Sequence, residues 1–124
     1  MNELTNDELA RAYHRLGLEN SACQNFELAI EDFTKAILLN PDEAANYHNR
    51  GIVKYQMGYY VSAIADFDEA IRLKPVSLAY NARALAKFKL GQKQDAINDF
   101  DEALRLDPDY AEARENRSIV VAMG

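Results

Sequence analysis

The sequence predicts an all-α fold, an open stack (α-solenoid) of three like helix-turn-helix units followed by a seventh, unpaired helix. Three observations carry this reading. The stretch "IADFDEAIRLKP", ending at Pro75, returns 33 residues later as "INDFDEALRLDP", ending at Pro108. Within a copy, apolar residues recur at three- and four-residue steps, as in Ile64, Phe67, Ala70 and Ile71, which sets them on one stripe of a helix. Prolines at 41, 75 and 108 and glycines at 58 and 91 fall where helices have to end. A period of this length marks a supersecondary unit that covers its apolar face only by stacking on its neighbours.

The elements follow in order. Thr5 and Glu8 have capping-box spacing and start the first helix near Asn6. The chain then reads as one domain over residues 1–124, with repeats at 10–43, 44–76 and 77–110. Across the repeats Tyr13, Tyr47 and Tyr80 align, as do Gly17, Gly51 and Ala84. Ala29, Phe33 and Ala36 return as Ala63, Phe67 and Ala70, and again as Ala96, Phe100 and Ala103. The small residues let two helix backbones approach, and each phenylalanine fills the space between them. Residues 111–123 continue the period, with Ser118 aligned to Gly51 and Ala84, as the first helix of a fourth unit without its second. Such a helix caps a stack. Its Ile119, Val120 and Val121 cannot all face inward, so an apolar remnant is left exposed. Gly124 falls where a turn into a further helix would begin, so the chain also reads as a piece of a longer one. The units depart from one another in three places: Cys23 and Gln24 replace a turn glycine, with Cys23 expected half-buried; Lys54 and Lys87 stand at packing positions; and the connector after Pro75 is one residue short.

Composition excludes several function classes. With 48% hydrophobic and 27% charged residues the chain has material for a real core, and its net charge of -6 comes without any Lys/Arg cluster. Nucleic acid and anionic membrane surfaces are therefore not expected partners. The acidic N-terminus lacks a signal pattern, and no apolar run approaches a membrane span. One cysteine forms no internal disulfide, which points to a reducing, cytoplasmic setting. Asn116-Arg117-Ser118 matches a glycosylation pattern but lies in an expected helix. His14 and His48 share a repeat position, yet no further His or nearby Cys completes a metal set. With no nucleophile motif and no glycine-rich phosphate loop, neither catalytic residues nor a cofactor are expected.

One polar pattern repeats. The same unit position holds Leu16, Arg50, Arg83 and Arg117, while Asp32, Asp66 and Asp99 each precede a phenylalanine. Arginine is missing only from the unit without a predecessor, which predicts structural ion pairs across the junctions: Asp32 with Arg50, Asp66 with Arg83, Asp99 with Arg117. Lys54 and Lys87 are expected to join the first two.

The quoted repeats, "AYHRLG" with "AIEDFTKAILLNP", "NYHNRG" with "GYYVSAIADFDEAIRLKP" and "AYNARA" with "GQKQDAINDFDEALRLDP", resemble the tetratricopeptide repeat. The resemblance implies a right-handed superhelix whose first helices line a concave groove for a partner peptide. The groove would present His14 and Leu18 from the first unit, His48, Asn49, Ile52 and Tyr55 from the second, and Asn81, Leu85 and Phe88 from the third. Its apolar floor suits apolar side chains, with Asn49 and Asn81 placed to bond a peptide backbone. Relatives that bind acidic chaperone tails use a carboxylate clamp at positions that fall here on His14, Leu18, Asn49, Leu78 and Ala82, of which only Asn49 matches. The missing cations argue against chaperone C-terminal tails as partner. The expected function is a protein-interaction adaptor or scaffold; the alternative is a self-assembly module, a homo-oligomer formed through the C-terminal helix or the solenoid ends.

Overall fold

The computed structural model describes residues 3–123, in which seven helices and no strand are found. They are α1 (Asn6–Ala22), α2 (Phe26–Leu39), α3 (Ala44–Gln56), α4 (Tyr60–Leu73), α5 (Ser77–Lys89), α6 (Lys93–Leu106) and α7 (Ala111–Ala122). The capping box forms: Glu8 N donates to Thr5 Oγ1 and Thr5 N donates to Glu8 Oε1, both at 3.1 Å. Each helix packs on the next in order, and α1, α3, α5 and α7 also touch in a row. That row positions the candidate site. Gly124 lies outside the described residues.

The core is a line of repeated contacts. Phe33, Phe67 and Phe100 are fully buried among alanines. A Cβ at Gly17 or Gly51 would stand 2.7 Å from the ring of Phe33 or Phe67, so a bare backbone is needed there. The third unit has room for a methyl group at this position, and Ala84 packs with Phe100, Ala96 and Val120. Gly58 and Gly91 take φ of 84° and 80° at the turns; Gln24 holds the equivalent turn at φ 62°, in the left-handed region that costs a side chain energy. Its neighbour Cys23 is exposed, not half-buried as expected, because it ends α1 on the solvent side of that turn. After α4 only Lys74, Pro75 and Val76 intervene before α5, where Ser77 Oγ donates to the Ala103 carbonyl at 2.9 Å. On α7, Ala113 and Val120 face inward while Ile119 and Val121 are about half exposed.

The arginines correct the expectation. The pairs Asp32–Arg50, Asp66–Arg83 and Asp99–Arg117 do not form. Arg50 instead grips the aspartate of its own unit, Nε and Nη2 donating to Asp66 at 2.9 and 2.7 Å, and Lys54 Nζ joins at 3.0 Å. Arg83 repeats this on Asp99 at 2.9 and 2.8 Å, with Lys87 at 3.0 Å. The cause is the adjacency of Asp to Phe. The ring is turned toward its own unit's first helix, and the aspartate looks the same way, its Cβ 3.2 Å from where a Cβ on Gly51 would stand. The junctions are spanned by the arginines' other contacts: Arg50 Nη1 to Thr34 at 3.1 Å, Arg83 Nη1 to Asp68 at 2.8 Å, and Arg117 Nε to Asp101 at 2.6 Å. Thr34, Asp68 and Asp101 lie two residues past the aspartates, about 200° around the helix, and so face the following unit. In the first unit Asn20 donates to Asp32 at 2.6 Å from the position that Lys54 and Lys87 occupy.

Candidate functional site

The first helices α1, α3, α5 and α7 set one repeat position side by side, as Leu18, Ile52, Leu85 and Ile119. This apolar column runs the length of the row; Leu18 and Ile119 at its ends are about half exposed, and Ile52 and Leu85 are half-buried. Three openings lie along the same row. A cavity of about 250 Å³ is lined by His48, Ile52, Tyr55, Gln56, Leu78, Asn81, Leu85 and Glu112, over a floor that reaches Phe67 and Ala82. Next to it a cavity of about 260 Å³ is formed where α3, α4 and α5 meet, with His48, Asn49, Leu78, Glu43 and Lys74 around alanines. A third, of about 260 Å³, lies between α1 and α3, with Asp7, Arg11, His14, Glu43 and Asn46 at its walls.

Of the nine expected groove residues, His48, Ile52, Tyr55, Asn81 and Leu85 come together in the first of these cavities. Asn49 lines the neighbouring one, and its side chain makes no hydrogen bond among the described residues. His14 lines the third. Phe88 lines none of the three and packs on the cluster of Ala84, Ala96, Phe100 and Val120. Tyr55 presents its ring edge-on to Tyr60, 5.3 Å away, and burial raises its hydroxyl pKa above the ordinary value.

His14, His48 and Asn81 share a repeat position, and their environments separate them. His14 Nδ1 donates to Asn46 Oδ1 at 2.6 Å, tying α1 to α3. Asn81 is buried at 3% exposure and is committed to the seam with α7: it accepts from Asn116 Nδ2 at 3.2 Å and donates at 3.5 Å to the Tyr110 hydroxyl and to Glu112. Its amide was expected to bond a peptide backbone; the seam uses it instead. His48 keeps its ring nitrogens free of hydrogen bonds among the described residues. Its ring tilts over Phe67 at 5.6 Å, and burial lowers its pKa below the ordinary imidazole value. His48 is thus the member of the set that remains available in the groove.

Sequence reasoning missed three residues, Ile119, Asn46 and Glu112, and named Leu78 only as a clamp position that the resemblance implies. Ile119 was legible from its alignment with Leu85. Asn46 is a buried amide in a column otherwise held by Ala12, Ala79 and Ala113, a signal that it has a polar partner. Glu112 enters the groove from the N-terminal turn of α7, where repeat alignment gives no hint, and Leu78 joins it from the N-terminal turn of α5. Electrostatically the central cavity is lined by one charged residue, the carboxylate of Glu112. No cluster of His, Cys, Asp or Glu able to hold a metal occurs among the described residues, and no described helix is long and apolar enough to cross a membrane.

Comparison with known proteins places this architecture. Family models described as tetratricopeptide repeat match residues 10–43 and 77–110, and residues 44–77. A sequence search of curated proteins gives no match. Among solved structures, the first TPR of Spaghetti (RPAP3) bound to the HSP90 peptide SRMEEVD superimposes with a TM-score of 0.91 at 22% identity, covering 95% of this chain and 94% of that one. The Arabidopsis OM64 TPR domain gives 0.91 at 24% identity, covering 94% and 98%. The second TPR domain of human RPAP3, in complex with the HSP70 peptide SGPTIEEVD, gives 0.87 at 27% identity, covering 90% and 94%. With three matched repeats in register, the same stack of hairpins in each neighbour and a seventh helix closing the last unit, the chain belongs to the tetratricopeptide repeat family.

Proposed function

We propose that this chain, a member of a family of non-catalytic protein-interaction modules, is an adaptor that holds a segment of a partner protein along the row of first helices. Apolar side chains of that segment rest on the column of Leu18, Ile52, Leu85 and Ile119, while His48 and Asn49 bond its polar groups. The observation that carries this is the central cavity of about 250 Å³, whose floor at Phe67 and Ala82 and walls at Ile52, Leu78 and Leu85 are apolar, with an imidazole beside it that has no partner of its own among the described residues. A cytoplasmic setting accords with the single cysteine, Cys23.

The solved complexes with SRMEEVD and SGPTIEEVD favour a second reading, an acidic chaperone tail as ligand. The residues weigh the other way. His14, Leu18, Asn49, Leu78 and Ala82 offer no Lys or Arg to a terminal carboxylate, and Glu112 adds negative charge at the cavity. One experiment separates the readings. Labelled SRMEEVD peptide is titrated onto the protein, and proteins captured from a lysate are compared between wild type and a Leu18→Glu, Leu78→Glu double variant of unchanged helicity; both leucines are half-exposed, so the fold tolerates them. The adaptor reading expects capture to fall by about tenfold or more in the variant. Capture that is unchanged overturns the groove, and micromolar binding of SRMEEVD gives the second reading its place.

A further inference from the structure

The cavities along the row differ in the charge they present. Of the residues that line them, Asp7, Glu43 and Glu112 are acids and Arg11 and Lys74 are bases, and none of the five joins an ion pair among the described residues. Two cavities mix the signs: Glu43 stands with Lys74 in one, and Asp7 and Glu43 stand with Arg11 in the other. The central cavity meets Glu112 alone, since burial lowers the His48 pKa and raises that of the Tyr55 hydroxyl, which favours the neutral form of each. Glu112 is exposed, but its carboxylate is steered toward the cavity. Oε1 accepts from Nδ2 of the buried Asn81 and Oε2 accepts from the Tyr110 hydroxyl, each at 3.5 Å. Both contacts lie at the long limit of a hydrogen bond, so they place the oxygens without satisfying them. Packing does not require an acid here: the same repeat position holds Arg11, Ala45 and Leu78 in the other units, and the stack forms with each. The walls belong to α3, α5 and α7 over a floor from α4 and α5, so the cavity is complete within the described residues.

We propose that the partner segment held in the groove carries a lysine or arginine beside a large apolar residue, the apolar side chain seated over Phe67 and Ala82 and the cation on the Glu112 carboxylate. Such a ligand presupposes the groove proposed above and adds the sign of its charge. Ile52, Leu78 and Leu85 take the apolar side chain out of water, which supplies affinity but accepts any oily residue of suitable size. Glu112 supplies the choice. A cation beside that residue is attracted, and an acid in the same place is repelled. Because Glu112 is exposed, water and salt screen the pair, so it discriminates between ligands more than it adds to affinity. The preferred sign is opposite to that of the acidic EEVD ends of the peptides in the solved complexes.

The full chain is screened against an immobilised library of randomised short peptides blocked at both ends, and the selected peptides are titrated by fluorescence anisotropy. Selection of Lys or Arg next to Leu, Ile, Met or Phe is expected, and it is lost in Leu78→Glu. Exchanging the selected base for methionine is expected to weaken binding about fivefold at low salt, a gap that closes as salt is added. Glu112→Gln removes the preference for a base. Glu112→Lys inverts it, weakening the basic peptide and strengthening its glutamate counterpart, a charge swap that general destabilisation does not produce. Circular dichroism checks the fold of each variant. Apolar selection that Leu78→Glu abolishes but that carries no basic neighbour, or a basic preference that survives Glu112→Gln, overturns this proposal and leaves the groove standing. No selection, or selection indifferent to Leu78→Glu, overturns the groove and the proposal together. Tighter binding of SRMEEVD than of the basic peptide overturns the proposal in favour of an acidic tail.

Discussion

The first unit and the two that follow it share a backbone plan but hold their second helices differently. In the second and third, a buried aspartate is clamped by an arginine and a lysine; in the first, Asp32 takes one hydrogen bond from Asn20, and Leu16 lies half exposed where the guanidinium would be. The difference teaches what the arginine is for. Arg50 and Arg83 each serve two helices at once, their own unit's aspartate and a residue of the preceding unit, Thr34 or Asp68. α1 faces no earlier helix among the described residues, and there the bridging cation is replaced. Held by two carboxylates, the Arg83 guanidinium is pushed well above its ordinary pKa and stays charged at any working pH.

The comparison can be broken at several points. The largest effect lies in what the units share: Phe67→Ala is expected to cost about 3–5 kcal/mol, because no neighbour can refill a site walled by helix backbones, and urea unfolding measures it. A loss below about 1 kcal/mol would mean the ring is not the wedge between α3 and α4. Next come the aspartates. Asp66→Ala leaves Arg50 and Lys54 without their anion and is expected to cost about 1.5–3 kcal/mol, whereas Asp32→Ala gives up one amide bond, about 0.5–1.5 kcal/mol. Equal losses in denaturant titrations would erase the distinction between the units.

A smaller effect follows from the turns. Gln24→Gly relieves a left-handed backbone and is expected to raise stability by about 1 kcal/mol, while Gly58→Gln, which imposes that conformation on the second unit, lowers it by a similar amount. The thermal midpoints of the two variants check it. The smallest concerns His48. Burial holds its folded pKa below the ordinary 6.5, so below that pH the unfolded chain takes up the proton first. Its contribution to stability is constant above pH 6.5 and falls as acidification proceeds through the folded pKa. His48→Gln is expected to flatten that part of the stability–pH curve; coincident curves for variant and wild type would show the imidazole to be solvated in the fold.

The fold was legible because its determinants are local and said three times. Phe33, Phe67 and Phe100 at helical spacing from small residues, prolines after each second helix and the Thr5–Glu8 box each name a position without knowledge of the rest. The ion pairs were not legible in the same way. A second helix packs on two first helices, its own and the next, and Asp66 and Asp68 are two residues apart on opposite sides, so repetition identifies the charges without saying which side each serves. The groove was read in part. Ile52, Tyr55 and Leu85 line the central cavity, but Asn81 looked like a peptide contact because it is a first-helix amide outside the packing stripe, and its commitment to Tyr110, Glu112 and Asn116 depends on a helix some 30 residues further on. Polar residues at a seam and polar residues facing a ligand carry the same signature when only one chain is in view.

Every helix contact among the described residues joins elements adjacent or next but one in order. Nothing far apart along the chain has to meet, so the entropy of closing long loops is never incurred and assembly can begin at any hairpin. Among the described residues the same ribbon-like wiring braces the interior hairpin from two sides and α1 and α7 from one. Amide protons in α1 and α7 therefore exchange with solvent by peeling of an end, without requiring the middle of the stack to open.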